Sequence, residues 1–220
     1  MKKYDNREEM KRILLAGNID SDIDDGWRVK TILRDATPDF TFHGYNIHSG
    51  ASKLCLCNNS GLYVCKWVTD NRYNEAVQEA KVYKKAVDAG LADFFPKTEI
   101  AFEMNGIMFV FQEKVQYSAS SLPYSIRSKF LKQCRTSLDS EKRIWKKMER
   151  EFKRAGDKDY SRDLDQLWAC MALTIYGKKF CQKLCAFIVE NAINDLHDSN
   201  IGYNHNKPII LDFSGYDRRY

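Results

Sequence analysis

Residues 193–215 read Ile193-Asn194-Asp195-Leu196-His197-Asp198-Ser199-Asn200-Ile201-Gly202-Tyr203-Asn204-His205-Asn206-Lys207-Pro208-Ile209-Ile210-Leu211-Asp212-Phe213-Ser214-Gly215. Asn204-His205-Asn206-Lys207 has the composition of a hairpin tip, and Pro208-Ile209-Ile210-Leu211 that of a short strand. The stretch therefore predicts a polar loop, a small hairpin and a strand that runs into Asp212. Asp195 and Asn200 stand five residues apart on one side of the hairpin, with Asp212 on the other.

Upstream, residues 164–193 are apolar around most of a helical circumference, which predicts one long central helix. Before it, residues 139–158 are strongly charged, with Trp145, Met148 and Phe152 at spacings of three and four. That pattern predicts a solvated helix with one buried face; Glu is mixed with the Lys and Arg, which argues against a basic binding helix. The first half differs. Phe40-Thr41-Phe42, residues 53–57 and residues 62–68 read as strands, the last two separated by Asn58-Asn59-Ser60-Gly61. Residues 74–89 carry Val77, Ala80, Val82, Tyr83 and Val87 in a helical pattern that stops at Ala89-Gly90. Two further strands, 98–102 and 107–113, flank Asn105-Gly106, the strongest hairpin signal in the chain. An antiparallel sheet with one inserted helix, followed by helices, makes the fold class α+β.

With these elements in view, the Asp195, Asn200 and Asp212-Phe213 set resembles the catalytic loop and metal-binding motif of the protein-kinase-like superfamily, H-R-D-L-x-x-x-N and D-F-G. The resemblance covers about residues 40–215 and implies a two-lobed protein-kinase-like fold. An antiparallel-sheet N-lobe would occupy residues 37–115 and a shortened helical C-lobe residues 116–220, after an N-terminal extension at 1–36. It implies ATP and Mg2+ as cofactors. Asp195 would position or deprotonate the attacking hydroxyl, and Asn200 and Asp212 would hold the metal. Val64-Cys65-Lys66 resembles the end of V-A-I-K, so Lys66 would reach the α- and β-phosphates. Glu79 is favoured as its ion-pair partner over Glu75, which sits in the first helical turn and complements the helix dipole. The stretch Ile47 to Cys55 aligns with the glycine-rich loop but keeps only Gly50; Ser49, Ala51 and Ser52 are small enough to let backbone amides approach phosphate. The main chain of Gln112, Glu113 and Lys114 would meet the adenine, with Phe111 guarding the back of the pocket. His197 stands where many protein kinases carry a Lys, and Asp195-Leu196-His197 also resembles aminoglycoside and choline phosphotransferases.

There are departures. Asn194 and Ile193 replace the Arg and His of the motif, Ser214 precedes Gly215, and only five residues follow Gly215. The activation segment and the A-P-E motif are therefore expected to be missing. The layout resembles the minimal kinases that some bacterial pathogens secrete, and short kinase-like proteins of bacteriophages. The expected function is an ATP- and magnesium-dependent kinase acting on protein Ser or Thr. The alternatives are a nucleotide-binding pseudokinase that serves as an interaction module, and a small-molecule phosphotransferase, which would lack helices for an acceptor pocket. The expected partners are ATP and a protein substrate or binding partner.

The bulk properties bound these readings. With 220 residues, 44% of them hydrophobic, the chain can bury a substantial core. A net charge of +5 is a mild excess, short of the footprint of a nucleic-acid binder. The polar N-terminus and the lack of long apolar runs predict a protein without signal region or membrane span, cytoplasmic, or in a host's cytoplasm if an effector or phage protein. Seven cysteines without C-x-x-C spacing predict buried or half-buried thiols rather than zinc or a disulfide, with Cys55 and Cys57 on one strand face. Asp20, Asp22 and Asp24 have EF-hand spacing, but Asp25 and Thr31 occupy the places of its Gly and final Glu, so a solvated turn or helix cap is expected. Residues 7–15 read as a short helix, and residues 1–36 are expected to pack beneath the second lobe.

Overall fold

The computed structural model describes residues 3–50, 53–68, 75–115, 122–136, 166–193, 196 and 200–214. It is an α+β protein that divides into two units, Met1–Tyr83 with Lys97–Lys114, and Lys84–Pro96 with Val115–Tyr220. The charged stretch at 139–158 lies outside the described residues.

The first unit is built on a five-stranded antiparallel sheet. Its strands are β1 (Asn46–Ser49), β2 (Leu54–Cys57), β3 (Tyr63–Trp67), β4 (Thr98–Met104) and β5 (Ile107–Glu113), in the order β1-β2-β3-β5-β4. Asn105 (φ 51°) and Gly106 (φ 75°) both take positive φ in the β4–β5 turn, the geometry that matches the twist of a two-residue hairpin. Alternate side chains point to opposite faces. Leu54, Leu56, Cys65, Trp67, Ile107, Phe109 and Phe111 line one face. Val110 lies on the other, where it packs with Val68, Ala76, Val77 and Ala80. Those alanines and Val77 belong to helix α4 (Glu75–Asp88).

Residues 1–36 do not stand apart from this sheet. Helices α1 (Arg7–Gly17) and α2 (Gly26–Ala36) bury Met10, Ile13, Leu14, Val29 and Leu33 in the same core as Leu54, Leu56, Trp67, Phe109 and Phe111. From the sequence they are expected beneath a second lobe; their described core contacts are with the sheet of the first unit. A polar clamp fixes them: the Asn6 side chain, fully buried, donates to Tyr63 O at 3.1 Å and accepts from Tyr63 N at 3.0 Å. Gly61 is needed beside it, since a Cβ there would fall 2.3 Å from Asn6 Nδ2. The acidic turn ends in a helix cap, with Asp25 Oδ1 accepting from Trp27 N at 2.9 Å.

Phe40-Thr41-Phe42 is not a strand. It lies in the short helix α3 (Pro38–Phe42), because Pro38 occupies the first turn and Thr37 caps it by accepting from Asp39 N at 3.3 Å. Phe40 is buried in the core and Phe42 is exposed, since two helical steps turn them to opposite sides whereas in a strand they would share a face.

The second unit contains α5 (Tyr124–Thr136), α6 (Gln166–Tyr176), α7 (Lys178–Glu190) and the hairpin β6 (Ile201–Asn204)/β7 (Lys207–Ile210). The single helix predicted for 164–193 is two helices. Gly177, at φ 83°, takes a backbone conformation that ends α6 and starts α7 anew. Phe95 packs against Phe187 and Phe213, with ring centroids 5.7 and 4.9 Å away. The Trp168 indole donates to Ile209 O at 3.0 Å, tying α6 to the hairpin. Among the described residues no helix is long and apolar enough to cross a membrane.

Burial in the shared core predicts that Leu33→Ala destabilises the protein by about 3 kcal/mol, whereas Leu15→Ala, on the exposed side of α1, changes stability by no more than about 0.5 kcal/mol. Urea unfolding followed by tryptophan fluorescence distinguishes the two.

Candidate functional site

Strand parity and helix periodicity converge on one carboxylate in the first unit. Lys66 on β3 pairs with Cys55 on β2 and with Val110 on β5, so it shares the α4 face of the sheet. Gln112 pairs with Val64 and Thr98 on that same face. From the helix, Glu75 and Glu79 are one turn apart and lie on one side. Glu79 is fully buried.

Three donors meet it. Lys66 Nζ lies 3.0 Å from Glu79 Oε2, Gln112 Nε2 donates to the same oxygen at 2.8 Å, and Lys53 Nζ lies 2.9 Å from Oε1. Gln112 Nε2 also donates to Thr98 Oγ1 at 3.1 Å, which fixes the amide's orientation. Lys53 sits 3.3 Å from Glu75 Oε2 as well. Two ammonium groups and two carboxylates balance in charge, and an amide fills the remaining donor position. A buried carboxylate needs this arrangement: unpaired, it would lose several kcal/mol of hydration without return. The lysine side chains keep 13% and 16% of their surface exposed, whereas the Glu79 side chain keeps none.

Of the residues singled out from the sequence, the structure brings Lys66, Glu79 and Gln112 together in this cluster. Gly50 closes the β1–β2 turn, its N–H donating to Lys53 O at 2.8 Å, while Ser52 lies outside the described residues. Around the expected adenine-binding segment two details differ from expectation. Phe111 faces the core shared with α1 and α2, and Gln112 takes the α4-facing position, because β5 is buried on both faces and its apolar run hides the alternation. The N–H groups of Glu113 and Lys114 donate to Lys97 O and Leu62 O, each at 2.8 Å, so these two donors are already engaged. The Lys114 ammonium donates to Asn58 O at 2.6 Å.

In the second unit, Asn200 O accepts from Leu211 N at 2.8 Å, so Asn200 and Asp212 flank the open end of the β6–β7 hairpin. Asp212 is half-buried, and Ser214 Oγ lies 3.4 Å from its Oδ1. Asp195 and His197 lie outside the described residues. No group of three His, Cys, Asp or Glu side chains suited to a metal occurs among the described residues. Sequence reading assigned Lys53 no part in the site, taking it as the first residue of the strand at 53–57 and as part of the stretch aligned with the glycine-rich loop. Its parity with Cys55, the strand partner of Lys66, is the signal that could have found it.

Cys55, Cys57, Cys65, Cys170, Cys181 and Cys185 are free thiols. Burial pushes the Cys55 thiol up to about 12, against the opposing pull of the Lys66 charge. Its thiolate is scarce at pH 8, and a disulfide reagent is expected to label Cys55 in the folded protein far more slowly than in the unfolded chain. Removing the carboxylate by Glu79→Ala leaves two lysines and an amide facing an apolar patch, and is expected to cost about 3 kcal/mol. Lys66→Ala should cost less, since Lys53 and Gln112 stay on the carboxylate; urea unfolding measures both. No protein-family model, curated protein or solved structure matches this chain, so a functional reading rests on its own residues.

Proposed function

We propose that this chain is an ATP- and magnesium-dependent phosphotransferase of protein-kinase-like fold that acts on Ser or Thr hydroxyls of a protein. The observation that carries the reading is the 3.0 Å pair between Lys66 on β3 and the buried Glu79 on α4. A lysine held by a buried carboxylate is fixed in direction, which is what aiming a cation at a nucleotide's phosphates requires. On this reading Lys66 takes the α- and β-phosphates and Glu79 orients it. Asp212 and Asn200 have the hard oxygen donors that suit magnesium, which would neutralise charge on the phosphate oxygens. Asp195 positions the acceptor hydroxyl and takes its proton as the γ-phosphorus–oxygen bond to ADP breaks and the bond to the hydroxyl oxygen forms.

A second reading, a nucleotide-binding module without turnover whose role is to engage a protein partner, is favoured by the Ser214 hydroxyl near Asp212 Oδ1, which competes for the carboxylate.

Thermal melting with ATP tests the shared premise. At about a hundred times Kd, a ligand specific to the folded state adds about 2.7 kcal/mol, or roughly 5–10 °C for a chain of this size. The expected shift requires magnesium and disappears in Asp212→Ala. Transfer of labelled phosphate from ATP to lysate proteins, reduced about a hundredfold or more in Asp195→Ala, supports the enzyme. A magnesium-dependent shift with no Asp195-dependent transfer supports the module instead.

A further inference from the structure

Glu79 holds more cations than its own ionisation needs. One lysine and one amide would pair a single carboxylate; here Lys53 and Lys66 both reach it, one on each oxygen, and Gln112 adds a third hydrogen bond. A lysine that turned to bind a phosphate would, in a simple pair, strand a buried charge at a cost of several kcal/mol. In this cluster either lysine can leave while Glu79 keeps two donors, and Gln112 is itself locked in place by Thr98.

Lys53 is also the closing residue of the loop that begins at Gly50, since its carbonyl accepts the Gly50 N–H at 2.8 Å. Its ammonium thus connects that loop to the carboxylate that orients Lys66. Glu75, 3.3 Å away, gives Lys53 a second anion against which to balance. Among the described residues Lys66 pairs with Glu79 alone, whereas Lys53 can let go of Glu79 Oε1 and still lie beside the Glu75 carboxylate.

We propose that Lys53 is a second phosphate-binding residue, which exchanges Glu79 Oε1 for the polyphosphate of a bound nucleotide while Lys66 and Gln112 remain on the carboxylate. This inference rests on the nucleotide reading given above and deepens it: the ligand it specifies is a polyphosphate, recognised by two lysines that share one buried anion.

Calorimetric titration of the full chain with ATP, ADP and AMP in magnesium, comparing wild type with Lys53→Ala and Lys53→Gln, is the test. Removing Lys53 should weaken ATP binding about tenfold to a hundredfold, the worth of one hydrogen bond between charged groups. The loss should shrink through ADP and be small for AMP, a gradation that a merely structural lysine would not produce. Lys53→Gln keeps a donor for Glu79 without the charge; it is expected to fold like wild type and to show the same graded loss, so it decides the matter if Lys53→Ala does not fold. Unchanged ATP affinity, or equal losses for all three nucleotides, would overturn the role of Lys53 while leaving the nucleotide site standing. Wild-type protein that binds none of the three would overturn the nucleotide reading itself, and this inference with it.

Discussion

A single carboxylate buried out of reach of water governs the arrangement of the first unit. Glu79 cannot be placed where it is unless the residue just before β2, Lys66 of β3 and Gln112 near the end of β5 each deliver a donor to within 3.0 Å. That condition fixes strand register and the rotation of α4 together. A one-residue slip of any of those strands would turn its donor to the apolar face and leave an unpaired charge behind.

The two faces of the sheet are held by different forces. Against α1, α2 and α3 lies an extensive apolar core that includes Trp67 and Phe109, whose rings sit 5.4 Å apart. Against α4 the apolar contact is small, made of Val68, Val110, Ala76, Ala80 and Val77, and the polar cluster does much of the holding. Burial of large side chains is nearly indifferent to small rearrangements of charge, whereas a cluster of ion pairs is sensitive to any new anion nearby. The sheet thus has a rigid side and a side on which α4 is held in a way that a ligand's charge can influence.

Much of this was legible in the sequence where the signal was local. The Asn105-Gly106 turn, the helix that stops before Gly90 and the lysine closing Val64-Cys65-Lys66 are each announced by neighbouring residues. What escaped depended on distant parts of the chain. The apolar run from Ile107 to Phe111 is buried on both faces, so period-two counting could not say whether Phe111 or Gln112 met α4. At Phe40-Thr41-Phe42 the Thr37-Pro38 cap outweighed the β-propensity of aromatic residues. Gly177 divides an apolar stretch that composition alone presents as continuous. Lys53 and Asn6 have no short-range signature, because their partners come from 26 and 57 residues away. Of the candidate site, the Lys66–Glu79 contact could be anticipated from element order, and the sharing of Glu79 between two lysines could not.

The clamp between Asn6 and Tyr63 bears on how the chain acquires its structure during synthesis. Helices α1 and α2 precede the whole sheet in the chain, yet the apolar face they cover is completed only by Ile107, Phe109 and Phe111. Their oily stripes must wait, uncovered, until about 75 further residues have been added after α2, roughly 4 to 15 seconds at ordinary translation rates. Contacts of such long sequence separation also slow the search for the native arrangement. These two helices, made before the strands they cover, are therefore among the last elements of the first unit to be buried, and until then they offer chaperones an apolar surface.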